Sequence, residues 1–206
     1  MQVWEKIGLA IILLIILSGC TQQANSNNST NNAANLNQCN TKVSDLTNIF
    51  TEKGIDIYAV DAYLSDKVKK ISDTDLTAIT DQLSALKLKC ASDDKISSIA
   101  EIYSLLADEL KVRKKLIVKS AEMDAAIEKD PCDVLSFKDD VLALHAELNS
   151  TVSLKENKIK YLIEQYAADA EISSLKLDNL GGLKYAINKN FNNLNAYFNS
   201  LEEVCK

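Results

Sequence analysis

Proline is almost missing from this chain and glycine is scarce: Pro131 stands alone, with five glycines in 206 residues. A β-rich domain needs frequent tight turns built largely from those two residue types, so this composition argues against one. Histidine is reduced to His145. Ferritin-like carboxylate sites require two inward Glu-x-x-His pairs, whereas Leu142 stands three residues before the single histidine here. No Cys-x-x-Cys pair occurs, which removes the usual zinc, thioredoxin and covalent-haem spacings. Gly-x-Ser-x-Gly, Walker and dinucleotide glycine signatures are missing as well. The acidic pairs Asp93-Asp94 and Asp139-Asp140 bring too few oxygen ligands for calcium. No catalytic residue, cofactor or metal is therefore expected, and the chain reads as a non-enzyme. His145 falls on an apolar stripe as a core or boundary residue; axial haem ligation with Met123 is the alternative, resting on residue type alone. Basic charge is also in deficit, 23 Lys and Arg against 29 Asp and Glu, for a net charge of −6. Nucleic-acid phosphates demand the opposite balance, so no nucleic-acid partner is expected.

A bilayer-spanning helix needs roughly 20 apolar residues. The run at 7–17 is too short for that, and matches the apolar core of a secretory signal. At its end stands Leu17-Ser18-Gly19-Cys20, which resembles the lipobox of bacterial lipoproteins, a motif that archaeal ones share. The resemblance covers only the leader. It implies that residues 1–19 are a signal peptide, that the Cys20 thiol receives diacylglycerol, and that Cys20 becomes the mature amino terminus. Each buried methylene contributes about 0.8 kcal/mol, and two chains give stable anchoring where one is marginal. Such a protein would be held at the cell membrane or outer membrane, facing outside the cytoplasm. An uncleaved short anchor and a secreted protein with unmodified Cys20 are the alternatives.

Residues 20–38 hold the lipidated cysteine and a tether. Asn25, Asn27, Asn28, Asn31, Asn32, Asn35 and Asn37 crowd it, and Leu36 is its one large apolar side chain. A flexible coil spanning about 20 to 25 Å is expected there. Asn27, Asn28 and Asn149 each open an Asn-x-Ser/Thr sequon, relevant only in a glycosylating host.

From residue 39 to 206 the apolar residues recur at three- and four-residue spacing, which gives each helix one apolar face in need of a partner. Cys39, Val43, Leu46, Phe50, Ile57, Val60, Leu64 and Ile71 form the first stripe, with Gly54 a candidate break. Leu76, Ile79, Leu83, Leu86 and Cys90 form the second, with Asp73 as a candidate cap. The third, over about 93–129, carries Ile96, Ile99, Tyr103, Leu106, Leu110 and Ile117. Asp130-Pro131 ends it, because the residue before proline is pushed out of the α region. The fourth runs from Val134 through His145 and Ile159 towards residue 173, with a kink or break expected at Asn149-Ser150-Thr151. Leu180, Leu183, Ile187, Phe191, Leu194, Phe198, Leu201 and Cys205 make the last, after a hinge at Gly181-Gly182. The expected fold is all-α: an up-and-down bundle of four to five long antiparallel helices.

With Cys20 assigned to lipid, Cys39, Cys90, Cys132 and Cys205 remain. An even number of widely spaced cysteines in an exported chain reads as two disulfides. A straight third helix would hold Cys90 and Cys132 more than about 50 Å apart, so that pairing is disfavoured. Cys39–Cys90 and Cys132–Cys205 are favoured, each closing a hairpin, though they meet only if the first and fourth helices break near Gly54 and Asn149.

Lys111-Val112-Arg113-Lys114-Lys115, with Lys119, is the main basic cluster. It reads as a solvated helix face, with contact to head groups or an acidic partner as the alternative. The seven tyrosines read mostly as core-edge residues. Location is positively marked and chemistry is not, so the expected role is a membrane-anchored helical scaffold or partner-binding protein. A lipoprotein carrying a small ligand or metal to a membrane complex is the alternative.

Overall fold

A computed structural model describes residues 29–58, 66–169, 172, 175 and 177–206. The leader, Cys20, Val60, Leu64 and the sequons at Asn27 and Asn28 lie outside the described residues. Among the described residues five α-helices follow in order: α1 (Ser29–Glu52), α2 (Asp73–Lys89), α3 (Asp94–Ile127), α4 (Lys138–Gln165) and α5 (Leu177–Val204). Short 3-10 helices at Asp66–Lys70 and Pro131–Phe137 precede α2 and α4. No strand occurs among the described residues, and none of the helices searched is long and apolar enough to cross a membrane.

The helix starts are set by short polar side chains. Ser72, rather than Asp73, caps α2: its hydroxyl accepts from the Asp75 amide at 3.0 Å. Asp93 caps α3 by accepting from the Ile96 amide, also at 3.0 Å. Asp130 accepts from the Cys132 amide at 2.9 Å, and Pro131 enters the first turn of the 3-10 segment, where its missing N–H has no cost.

At 34 residues α3 is the spine, about 51 Å long. Helices α1 and α2 pack on its first half, α4 runs antiparallel along it, and α5 packs on α4. Glu101 of α3 shows the layering: it pairs with Lys87 of α2 at 3.1 Å and with Lys158 of α4 at 2.9 Å. The continuous core includes Phe50, Leu76, Leu83, Leu106, Leu110, Leu148, Ile159, Leu180 and Phe198, all essentially inaccessible.

Two helix ends let both cysteine pairs meet, the first at the expected Gly54 break and the second away from the expected place. Gly54 takes φ +68, a left-handed conformation that suits glycine, and ends α1 with Ile55 and Ile57 turned into the core. In the second hairpin α4 ends at Gln165 rather than near 173, so α4 and α5 are both 28 residues long. No break interrupts α4 at Asn149. The Thr151 hydroxyl donates back to the Glu147 carbonyl at 3.0 Å, and fully buried Leu148 and Val152 hold the turn, so packing overrides the weak propensity. The tether reading also changes: residues 29–38 are helical, because a helix anchored by buried Cys39, Val43 and Phe50 extends outward without a second nucleation cost.

Candidate functional site

Both favoured disulfides form. Cys39 and Cys90 join α1 to the end of α2 with α-carbons 6.0 Å apart, and Cys132 and Cys205 join the 3-10 turn before α4 to the end of α5 at 5.7 Å.

The basic cluster divides. Arg113 is not on a solvated face: it is 1% exposed, and its guanidinium donates to Glu109, one turn earlier and itself fully buried. The other oxygen of Glu109 accepts from Lys155 of α4, whose side chain is inaccessible, at 2.5 Å. One carboxylate thus bridges two buried cations between α3 and α4. Burial drives the Lys155 pKa below the ordinary lysine value, Glu109 opposes most strongly, Arg113 pushes the same way as burial, and Asp56 opposes more weakly. The one-stripe reading of α3 concealed this site. Its signal lay in Ile102, Val112 and Leu116, apolar residues off the stripe that mark a helix covered on more than one face.

Val112 is buried too, and the four lysines of the cluster rim an open groove of about 850 Å³. Facing stripes form its walls: Lys111, Lys114, Lys115 and Val118 on α3, and Asp140, Ala143, Leu144 and Glu147 on α4. Lys69, Asp73 and Thr77 close one side. Lys114 pairs with Asp73 at 2.7 Å and donates to the Ile71 carbonyl at 2.8 Å, while Lys119 lies 3.3 Å from Asp140. These pairs are partly or largely exposed, where an ion pair is worth about 0 to 1 kcal/mol, so an incoming carboxylate can compete for the lysines.

A smaller cavity, about 410 Å³, lies between α3, α4 and α5, and His145 and Met123 both line it with Asn190, Asn193 and Tyr197. Its volume lies at the small end of the range that holds small molecules. His145 is 2% exposed, its ring 6.5 Å from that of Phe191, and burial lowers its pKa below the usual 6.5. The fold therefore prefers neutral imidazole. Below pH 6.5 the unfolded chain takes up a proton that the folded chain refuses, so stability falls as pH drops from there towards the depressed folded value. The slope is at most about 1.4 kcal/mol per pH unit for one proton. Chemical denaturation at pH 7 and pH 5.5 should show this loss in the wild type, and a smaller one in His145→Gln; equal losses would remove His145 as the cause.

Other candidates serve the fold. Asp94 accepts from Tyr161 at 2.9 Å and from Tyr166 at 3.3 Å, Tyr103 is buried against Phe50, and Tyr185 is 70% exposed. Asn149 is half-buried in α4 with its Oδ1 enclosed, unlike a surface glycan acceptor. Among the described residues no group of three or more His, Cys, Asp or Glu is placed to hold a metal. Comparison with known protein families, with curated proteins and with solved structures finds no match for this chain.

Proposed function

We propose that the chain is a lipoprotein, anchored through diacylglycerol on Cys20 outside the cytoplasm, that works as a helical scaffold or partner-binding module rather than as an enzyme. The observation that carries this reading is the position of Cys20, three residues after the last residue of the apolar run, in Leu17-Ser18-Gly19-Cys20. The pairing of all four remaining cysteines supports it, since structural disulfides persist in oxidising compartments and are rare in a reducing cytosol. A rigid, disulfide-closed bundle on an anchor suits presentation of a surface.

The test is mass spectrometry of the membrane fraction. Wild-type protein should begin at Cys20 and carry the mass of a diacylglyceryl group, and Cys20→Ser should leave that fraction almost entirely. Recovery of unmodified precursor from cytosol, starting at Met1, would overturn the proposal.

A further inference from the structure

The cavity between α3, α4 and α5 differs from the rest of the molecule in its charge. Charged residues make up 25% of the chain, yet none of the described residues that line this cavity is Lys, Arg, Asp or Glu. Its sides also differ from each other. Leu116, Met123 and Val141, from α3 and α4, give a buried apolar floor. Asn190, Asn193 and Tyr197 follow on α5 at spacings of three and four residues, which sets them on one face of that helix. Asn190 is half-buried, and Asn193 and Tyr197 reach solvent. Among the described residues the side chains of these three make no hydrogen bond within the protein.

We infer that this cavity binds an uncharged, amphipathic small molecule, with an apolar body on Leu116, Met123 and Val141 and an amide, carbonyl or hydroxyl edge on Asn190, Asn193 and Tyr197. The inference goes beyond the partner-binding reading and does not depend on it. Apolar walls with a few convergent polar groups are the usual make-up of a small-molecule site, the walls supplying burial and the polar groups orientation. At about 410 Å³ the space equals the liquid volume of roughly 14 waters, at about 30 Å³ each, which suits a compound of one or two rings.

The lining decides the ligand's charge. A carboxylate or ammonium brought to the floor would lose its water and meet no counter-ion, a cost that an uncharged amide of the same shape escapes. His145 does not supply that counter-ion, because burial keeps its imidazole neutral at pH 7. A plain hydrocarbon chain is disfavoured from the other side, since it would cover the α5 amides without pairing them.

The experiment uses the full-length protein extracted in neutral detergent, with carbon-13 in its histidine ring and methionine methyl groups. The cavity carries its own reporters: His145 is the one histidine of the chain, and Met123 the one methionine besides Met1. The probes are matched pairs that differ in charge and hardly in shape, indole-3-carboxamide with indole-3-carboxylate and 2-naphthamide with 2-naphthoate. At least one amide should shift the His145 and Met123 signals saturably, and bind at least about tenfold more tightly than its carboxylate. Asn193→Ala with Tyr197→Phe, both at exposed positions, should weaken amide binding by about tenfold or more at unchanged circular dichroism. Asn192→Ala, exposed on α5 outside the cavity, should not. No saturable shift with either amide, equal affinity of amide and carboxylate, or a loss in Asn192→Ala equal to that in the double variant overturns the inference. So does a saturable shift from the detergent alone with none from the amides, which would make the cavity a slot for an acyl chain. None of these outcomes bears on lipidation of Cys20, which its own mass measurement decides.

Discussion

Replacing Glu109 by glutamine should lower the unfolding free energy by about 3 to 5 kcal/mol, the scale on which a broken buried ion pair destabilises. Glutamine keeps the shape and volume of the side chain, so packing around it is preserved and the loss is electrostatic. What disappears is the carboxylate that, among the described residues, contacts both Arg113 and Lys155, which are 1% and 0% exposed. The two desolvated cations would then lose the carboxylate they share across the α3–α4 interface, and Lys155 would keep only the weaker pull of the exposed Asp56. Lys155→Met makes the opposite case. It deletes the cation whose charged form burial already disfavours, and leaves Glu109 paired with Arg113. A methionine of similar length fills the space, so its stability should lie within about 1 kcal/mol of the wild type, or above it. Urea unfolding of the oxidised protein, followed by circular dichroism, separates the two. If both variants lost the same amount, side-chain shape rather than charge would hold this site together.

That triad also marks where sequence reading ran out. Stripe periodicity identifies one apolar face per helix, and it served well for α2, whose Leu76, Ile79, Leu83, Leu86 and Cys90 are all buried. The start of α3 near residue 93 and the stop at Pro131 were legible because each depends on chemistry within a few residues. Distance arithmetic along α3 narrowed the cysteine pairing, because a 34-residue rod cannot bring its ends together. Arg113 was illegible because its burial depends on α4, some forty residues away, lying over what looked like a solvated face. Asn149 failed in the same way: local propensity pointed to a break, and the buried neighbours Leu148 and Val152 overruled it. The groove stood between these cases, its lysines visible as a cluster and its apolar floor visible only once Leu144 faced Val118.

Opening the Cys132–Cys205 bridge with paired serine substitutions should cost about 4 kcal/mol, and a fall in Tm on the order of 10 °C for a chain of this size. The bridge spans 73 residues, and loop-closure entropy in the unfolded chain rises with the logarithm of that length. Removing Cys39–Cys90, which spans 51, should therefore cost nearly the same. The two losses differ in where the fold loosens. Helix α5 rests on α4 and the Pro131 turn, and beyond Ile187 its one fully buried side chain is Phe198. Without its bridge the last turns of α5 should open locally, so amide hydrogen exchange should accelerate first near residues 198–205 while α2 and α3 stay protected. Loss of Cys39–Cys90 should instead free α1, uncovering Tyr103 where Phe50 packs 5.7 Å from it, ring to ring, and speeding exchange up to the Gly54 turn. Exchange that accelerated uniformly through all five helices in both variants would mean that the bundle opens as one unit. The bridges would then act only on the unfolded chain, and the picture of two hairpins independently clasped onto α3 and α4 would fail.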